Sequence, residues 1–223
     1  MESIVDGVWV SNISPNVWLY TVTHPIGEFI YPAHGLIILS TEGAILIDTG
    51  WTSQHSRILI DWIDNALKAK TRLAIATHFH DDRTGGISAL RERTIRCVSH
   101  PLTSIYAKER GYNVPEPLLP FGKGAYKIND QCELFFAGAG HTADNIVAWL
   151  PHEKILYGGC FIKSETSPDL GNLSDAVVTD WSSSLKKLTS QYPSRNMAIP
   201  GHGTLTGDAI GRTFALLASH KGK

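Results

Sequence analysis

Six side chains able to bind a metal ion lie in short loops that each follow an apolar run of the sequence. The first group is His78, His80 and Asp82, directly after the run 73–76. That run is typical of a strand buried on both faces, so the two imidazoles leave the strand two residues apart and can converge on one point. The Asp82 carboxylate can reach a second point nearby, and imidazole nitrogen with carboxylate oxygen suits zinc. An ordinary polar loop is the alternative, which the groups found downstream disfavour.

Three more candidate ligands occupy similar positions later in the chain. His141, Cys160 and His202 each follow a short apolar run that is typical of a strand. Glycines beside each of them let the backbone turn sharply and approach a metal closely. A lone Gly-His pair is more often structural, but six ligands together are enough for two adjacent zinc ions with open positions for water and substrate.

The elements that must position these loops can be predicted from the pattern of apolar residues. Strands are predicted at 8–10, 17–22, 36–39, 44–47, 73–76, 96–99, 133–136, 146–150, 155–157 and 197–199, and helices after 52, at 87–91, 101–110, 179–192 and 207–219. The two halves echo each other, each with a hairpin followed by a helix, a strand and a His-bearing loop. We therefore expect an α/β fold of one domain over residues 1–223, with two β-sheets packed face to face and helices outside.

The segment 24–34 carries apolar residues that look exposed, among them Phe29 and Tyr31. Two prolines and a glycine make the segment a poor strand centre, so a loop is predicted there. A mobile flap over a pocket and a plain hairpin tip are both compatible with this pattern.

The composition excludes several classes of function. The chain has 223 residues, of which 43% are hydrophobic, and this is enough for a substantial core. Its net charge of −1 disfavours a general nucleic-acid binder. No apolar run reaches the roughly 18 residues of a membrane span, and the N-terminus lacks the pattern of a signal peptide. The protein is therefore expected to be either cytoplasmic or a mature form.

The other cysteines and histidines have plainer explanations. Cys97 and Cys132 lie in strand patterns and are predicted to be buried free thiols, with a disulfide between them as the alternative. The remaining histidines lack ligand spacing and are predicted to lie at the surface or in loops: His24, His34, His55, His100, His152 and His220.

Four motifs resemble those of the metallo-β-lactamase superfamily across nearly the whole chain: His78-x-His80-x-Asp82, Gly140-His141, Gly159-Cys160 and Gly201-His202. Most hydrolases of that fold place a His directly after the Asp and an Asp in the Cys position, whereas this chain has Arg83 and Cys160 there. It is most similar to the first, dizinc, Cys-containing subclass of true metallo-β-lactamases. The second subclass would carry Asn at position 78, and the third lacks the Cys. The resemblance implies an αβ/βα four-layer sandwich of two mixed β-sheets with helices on the outer faces.

The resemblance also implies two Zn²⁺ ions as cofactors and a ligand set for each. One zinc would be held by His78, His80 and His141, and the second by Asp82, Cys160 and His202. Asp48 would accept a hydrogen bond that orients a ligand, and Arg83 would lie close beneath the second zinc. A hydroxide between the metals would open the β-lactam ring of penicillins, cephalosporins and carbapenems without an acyl-enzyme, which would confer antibiotic resistance.

Further residues are implied to act on the substrate. Asp82, Lys163 and Asn172 would take part in catalysis, with Lys163 binding the carboxylate of the fused ring and Asn172 helping to hold the lactam carbonyl. Phe29 and Tyr31 would touch the substrate from the flap. The segments 159–163 and 171–175 match the substrate-contact segments of the first subclass.

Two other functions stay open at this point: a metal-binding member of the fold that lacks hydrolysis, and a thioester or lactone hydrolase. Lys163 and Asn172 favour the β-lactamase, because a pure metal site has no use for them.

The implied partners are small β-lactam antibiotics, with no nucleic acid and no membrane span. The protein is expected to be a monomer in the bacterial periplasm, where β-lactams meet their targets. Substrate range and metal occupancy are not given by the sequence.

Overall fold

The computed structural model describes residues 1–122 and 124–220, which divide into two compact units, Met1–Phe121 and Gly122–Lys223. Each unit is built on its own β-sheet. Among the described residues, no helix combines the length and the apolar character needed to cross a bilayer.

The first unit holds an eight-stranded mixed sheet whose spatial strand order follows the sequence. Of the seven pairings between neighbouring strands, the first four are antiparallel and the last three are parallel. The connections between the parallel strands carry helices. The strands are β1 (Glu2–Val5), β2 (Val8–Ser14), β3 (Val17–Ile26), β4 (Phe29–Ser40), β5 (Gly43–Ile47), β6 (Thr71–Ile75), β7 (Arg96–Ser99) and β8 (Glu116–Pro117). The helices are α1 (Ser53–Ala66), α2 (Asp81–Thr84), α3 (Ile87–Glu92) and α4 (Pro101–Glu109).

Helices α1 and α3 cover one face of this sheet. Leu59 and Ile63 of α1 and Leu90 of α3 belong to the apolar cluster that also contains Val10 and Leu46 from the strands, and all five are fully or almost fully buried. The apolar residues of α1 recur at helical spacing, so burial of one stripe drives the packing of the helix. This core holds β5 and β6 rigidly side by side, and their carboxyl ends carry Asp48 and the loop of residues 76–80.

Strands β3 and β4 form a long hairpin whose tip extends beyond the neighbouring strands. The pairing continues to Ile26 opposite Phe29, with Gly27 at a φ of +61° in the turn, so the prediction of a loop over 24–34 is wrong. Strand β2 pairs with β3 only as far as Val22, and β5 pairs with β4 only from Leu36. Apart from the hydrogen bond from the Thr23 N–H to the Gly7 carbonyl at 2.9 Å, the neighbouring strands do not pair with the hairpin beyond those points, so a proline there removes no ladder hydrogen bond with them.

Helix α4 begins with an imidazole instead of the usual hydroxyl or carboxylate cap. Nδ1 of His100 accepts a hydrogen bond from the Leu102 backbone N–H at 3.2 Å. Burial lowers the pKa of His100 to about 4. The ring is therefore neutral near pH 7, which keeps the lone pair of Nδ1 available for the cap.

The second unit holds a five-stranded sheet with the order β13-β12-β11-β10-β9. All neighbours are antiparallel except β12 and β13, which run parallel. The elements are β9 (Tyr126–Asn129), β10 (Cys132–Phe135), β11 (Val147–Leu150), β12 (Ile155–Gly159), α5 (Val178–Gln191), β13 (Met197–Pro200) and α6 (Ala209–Ser219). Trp181 and Leu185 of α5 and Ile210 of α6 pack in one apolar cluster with residues of the strands.

The two cysteines predicted to be structural are buried free thiols, as expected, and the disulfide alternative is wrong. Burial raises the pKa of the Cys132 thiol to about 12 and raises the pKa of Cys97 well above its usual value. Both thiols therefore stay protonated and behave as small apolar side chains.

Candidate metal centre

His78, His80 and Asp82 converge where the chain leaves β6. Nε2 of His78 lies 3.1 Å from Nδ1 of His80 and 4.0 Å from Oδ1 of Asp82. The three donor atoms all lie within 4.8 Å of one another, and His78 and Asp82 are almost completely buried. Two imidazole nitrogens this close either share a proton or direct their lone pairs at one cation.

The local backbone explains this convergence. The Thr77 N–H donates to Asp48 Oδ1 at 2.8 Å, which fixes the first residue of the loop. His80 then serves as the N-cap of α2, and its carbonyl accepts from the N–H of Arg83 at 2.9 Å. This single helical turn folds Asp82 back towards His78. A helix of four residues has no apolar periodicity, which is why the sequence predicted only a loop here.

The distances suit zinc. Nitrogen ligands at about 2.1 Å from a tetrahedral zinc lie roughly 3.4 Å apart, close to the 3.1 Å between the two imidazole nitrogens. Neutral imidazole and carboxylate are both common zinc ligands. The donor set of this loop therefore fits the predicted cofactor.

Arg83 holds the Asp82 carboxylate from behind. Its Nη2 lies 2.8 Å from Asp82 Oδ2, and its Nη1 lies 3.2 Å from Asp48 Oδ2. The guanidinium and the Asp48 carboxylate have no solvent exposure, and Asp82 has almost none. One planar cation thus neutralises two buried carboxylates. The guanidinium binds Oδ2 of Asp82, and the other oxygen, Oδ1, faces His78.

Asp48 acts on the ligand loop through Thr77. Its Oδ2 accepts from Thr77 Oγ1 at 3.1 Å, and Thr77 Oγ1 lies 3.5 Å from His78 Nδ1. The Asp48 backbone has a φ of +64°, in the left-handed region, which costs free energy for a residue other than glycine. The buried contacts to Thr77 and Arg83 hold the carboxylate in that conformation. Asp48 thus lies behind the ligand loop and is linked to it through Thr77.

His34 was predicted to lie at the surface or in a loop, and this is wrong. It lies in β4 with only 4% of its surface exposed. Its Nδ1 is 2.9 Å from Thr21 Oγ1 across the β3–β4 ladder, and its carbonyl oxygen accepts from Arg83 Nη1 at 2.7 Å. Sequence analysis missed it because its partner Arg83 lies far along the chain.

In the second unit, Cys160 and His202 meet at the ends of two neighbouring parallel strands. Cys160 Sγ lies 3.1 Å from His202 Nε2, and the cysteine is buried. Gly159 has a φ of +54°, and its carbonyl oxygen accepts from the Gly201 N–H at 2.8 Å. Parallel strands bring their carboxyl ends to the same edge of a sheet, so residues distant in sequence become neighbours. Thiolate and imidazole are a second pair of donors suited to zinc.

His141 lies in the loop between β10 and β11 and is 5% exposed. The loop is closed by hydrogen bonds from Thr142 N–H to Asn145 Oδ1 and from Asn145 Nδ2 to the Gly138 carbonyl, at 2.9 and 3.0 Å. A Cβ added at Gly140 would lie 2.4 Å from Phe161 Cε2, so only glycine fits there. The His141 ring lies 6.0 Å from the ring of Trp181 on α5, so the imidazole rests against a rigid helix.

The two residues predicted to bind substrate in this unit differ in their surroundings. Lys163 is 9% exposed, and its Nζ lies 5.4 Å from the centroid of the Trp181 ring. Asn172 is exposed, and its Oδ1 accepts from the Ser174 N–H at 3.0 Å in a turn of its own loop. The carbonyl side of the Asn172 amide is thus used by the loop, so the amide NH₂ is the group suited to a substrate carbonyl.

Phe29 and Tyr31 lie at the tip of the β3–β4 hairpin. They are 67% and 43% exposed, and their rings meet edge to face at 6.3 Å. His24, cross-strand from Tyr31, stacks on Trp51 with ring centroids 5.5 Å apart, which ties the base of the ribbon to the loop after β5. The tip of the hairpin thus presents an unusual amount of exposed apolar surface.

The structure brings together three predicted ligands in the first unit and two in the second. The convergence of all six on one centre stays a prediction. Three residues near these groups were missed by sequence analysis: Thr77, His34 and Trp181. Trp181 belongs to the apolar stripe of α5, and a stripe predicts burial but does not identify the neighbour.

A family model described as the metallo-β-lactamase superfamily matches residues 32–202. The metallo-β-lactamase type 2 of Bacillus cereus is 38% identical over 194 residues, which cover 87% of this chain and 76% of that protein. The corresponding protein of Bacteroides fragilis is 33% identical over 208 residues, which cover 93% of this chain and 84% of that protein.

Solved structures give the same result. A metallo-β-lactamase from Pontibacter korlensis has a TM-score of 0.89 at 36% identity and covers 96% of this chain and 100% of its own. The metallo-β-lactamase FIM-1 from Pseudomonas aeruginosa, in a mono-zinc form, has a TM-score of 0.90 at 30% identity and covers 95% of each chain. This likeness confirms the predicted α/β fold class of two mixed sheets with helices.

Proposed function

Because the chain belongs to the metallo-β-lactamase superfamily, we propose that it is a zinc-dependent hydrolase that opens the ring of β-lactam antibiotics and so confers resistance to them. The observation that carries this proposal is the convergence of His78, His80 and Asp82, whose donor atoms lie within 4.8 Å of one another at the end of β6. Cys160 and His202, 3.1 Å apart, supply a second set of zinc donors.

We assign two zinc ions to these donors, one to His78, His80 and His141 and the other to Asp82, Cys160 and His202. Zinc, when bound, polarises a carbonyl oxygen and lowers the pKa of its water to about 7. The buried Arg83 pairs with the Asp82 carboxylate and fixes its orientation. Hydrolysis adds the water oxygen to the lactam carbonyl carbon and breaks the C–N bond, leaving a carboxylate and a protonated nitrogen.

The other predicted site residues act on the substrate in this proposal. Lys163 pairs with the carboxylate that penicillins, cephalosporins and carbapenems carry on the ring fused to the lactam. The Asn172 NH₂ donates to the lactam carbonyl, and Phe29 and Tyr31 cover the apolar part of the substrate. The exposed aromatic rings at the hairpin tip support this last role, because such a surface suits contact with an apolar ligand.

The function is tested with a chromogenic cephalosporin and the purified, zinc-loaded protein. We expect hydrolysis that a chelator abolishes and that added zinc restores, because the reaction depends on the metal. Thioester and lactone substrates are assayed in parallel. Zinc-dependent turnover of those substrates alone, or zinc binding without any turnover, would contradict the proposal.

Replacing Lys163 with alanine should lower kcat/KM for carboxylate-bearing β-lactams about tenfold to a hundredfold without removing zinc. A charged hydrogen bond of this kind is typically worth about 1.5–3 kcal/mol. Lys163→Glu should lower it further, because a carboxylate repels the substrate carboxylate. Steady-state kinetics with metal analysis of each variant measure both effects.

The matched control for Lys163 is Lys186→Ala, which removes an exposed ammonium from α5. This variant should leave kcat/KM unchanged. A methyl ester of the same substrate gives the second comparison, because it lacks the anionic partner. If Lys163→Ala loses as much activity on the ester as on the free acid, the lysine does not bind the carboxylate.

We further propose that carbapenems are among the substrates and that the enzyme is a periplasmic monomer. The carboxylate common to these drugs supports the first point, since Lys163 would recognise it in each. The location follows from the substrates, because β-lactams meet their targets in the periplasm. An imipenem hydrolysis assay tests the first point. Light scattering of the purified protein tests the monomer, and fractionation of cells carrying the full gene tests the location.

A further inference from the structure

Trp181 is a fully buried residue of α5 that contacts side chains of the proposed active site in the second unit. It has no solvent exposure and is the largest fully buried side chain among the described residues. Its indole lies near Lys163 on one side and near His141 on another, at the distances given above.

The orientation of this indole is fixed by two contacts with one residue. Trp181 Nε1–H donates to the Phe161 carbonyl oxygen at 3.0 Å, and the two rings stack with centroids 6.1 Å apart and planes at 21°. Buried tryptophans usually find a partner for the indole N–H, and here the same residue also packs against the ring. The ring is therefore a rigid surface for whatever lies against it.

Lys163 is the residue that gains from this surface. Its Nζ lies 5.4 Å from the Trp181 centroid, within the range of a cation–π interaction, for which the indole is the strongest partner among the side chains. A Cβ added at Gly171 would lie 3.5 Å from the same Nζ, so the loop of Gly171 also comes close to the ammonium. The Lys163 backbone N–H donates to Thr213 Oγ1 at 2.8 Å, which anchors the base of the side chain to α6.

An unconstrained lysine has four rotatable bonds, and ordering it on binding costs free energy. A lysine already confined between an indole and a loop has lost most of that freedom before the substrate arrives. An ammonium on a π face can still donate to a carboxylate, because the face leaves its N–H groups available.

We propose that Trp181 is a positioning residue that holds the Lys163 ammonium in place for the substrate carboxylate. The inference rests on the proposed function, because it assigns Trp181 a role toward a lysine that binds substrate. It predicts that the effect of Trp181 on substrate binding passes through Lys163 and depends on the carboxylate.

A double-mutant cycle tests this coupling. Trp181→Leu should raise KM for a carboxylate-bearing cephalosporin about twofold to thirtyfold, and Trp181→Phe should have a smaller effect, because a benzene ring is a weaker π partner. In the Lys163→Ala background both changes should alter KM less than twofold. On the methyl ester the effect of Trp181→Leu should also nearly vanish. Equal losses in both lysine backgrounds would overturn the proposal.

Two further measurements separate positioning from general loss of structure. All variants are compared at full zinc occupancy, because His141 also lies against Trp181. Trp149→Leu is the matched control, since Trp149 belongs to the same apolar cluster but stacks on Tyr192 at 4.7 Å. It should lower the melting temperature and leave the ratio of acid to ester KM unchanged.

A readout independent of catalysis distinguishes failure of this inference from failure of the proposed function. Protons above an indole ring are shifted upfield, so the Lys163 Hε resonances should be upfield in the wild type and move back in Trp181→Leu. Lys163→Ala identifies these resonances by their disappearance. An unshifted Lys163 in the wild-type protein would refute the contact whatever the protein hydrolyses, whereas a shifted Lys163 in a protein without β-lactamase activity would refute only the function.

Discussion

Replacing Arg83 with methionine is expected to lower the free energy of unfolding of the zinc-free protein by about 3–5 kcal/mol, because it leaves two buried carboxylates without their cation. Arg83 lies 2.8 Å from Asp82 and 3.2 Å from Asp48, and none of the three has more than slight exposure. Urea denaturation of the wild type and the variant measures the difference. The zinc-free form is used so that lost metal affinity does not add to the result.

Two comparisons make this prediction specific to the buried network. Arg57→Met removes a guanidinium of similar geometry, 2.7 Å from Glu92, but that pair is exposed. Surface pairs of this kind contribute little, so we expect no measurable change in stability. Arg83→Lys keeps the charge but loses the planar fork of donors. Its free energy of unfolding should therefore lie between those of the wild type and Arg83→Met. If Arg83→Met were no more destabilising than Arg57→Met, Asp48 and Asp82 would not depend on the guanidinium.

The second large effect is expected for Cys160→Ser. A thiolate is a strong zinc ligand and a neutral hydroxyl is a poor one, so the second zinc should bind more than about a hundred times more weakly. We expect metal analysis after dialysis to give two zinc ions per wild-type chain and one per variant chain, with the three-histidine site still filled. Turnover should fall together with the lost metal.

The control for Cys160 is Cys132→Ser, which alters a buried free thiol of the same unit. It should cost some stability, because a hydroxyl is buried, and leave zinc content and turnover unchanged. A wild-type stoichiometry that never exceeds one under zinc excess would remove the two-zinc assignment. A Cys160→Ser variant with both metals and full activity would show that Cys160 is an ordinary buried thiol.

Local features of the structure could be predicted from the sequence. The spacing of His78, His80 and Asp82 places three donors within five residues, so their convergence needs only a strand end and one turn. Cys160 and His202 were predicted from the same signal, a ligand after an apolar run next to glycine. Their direct contact depends on β12 and β13 being neighbours, and the spacing alone does not give that order.

Features that depend on distant partners could not be predicted in this way. His34 was predicted to lie at the surface or in a loop because its partner is distant in sequence. Arg83, which donates to the His34 carbonyl, lies 49 residues further along the chain. Pro25 and Pro32 argued against strands because the extent of the neighbouring strands was unknown. The long hairpin is allowed only because those neighbours end first.

The separation of the two donor groups along the chain has a consequence for assembly. Cys160 and His202 are 42 residues apart and meet only after α5 has crossed from β12 to β13, so this pair does not exist in the unfolded chain. The donors of His78, His80 and Asp82 lie within five residues, so a single turn of the chain is enough to bring them together. Zinc held by the distant pair would stabilise the folded state alone, whereas zinc held by the neighbouring His78 and His80 would also bind the unfolded chain and stabilise folding less. We therefore expect zinc to be captured at the first loop before the second unit has folded, and the proposed site that includes Cys160 to fill last.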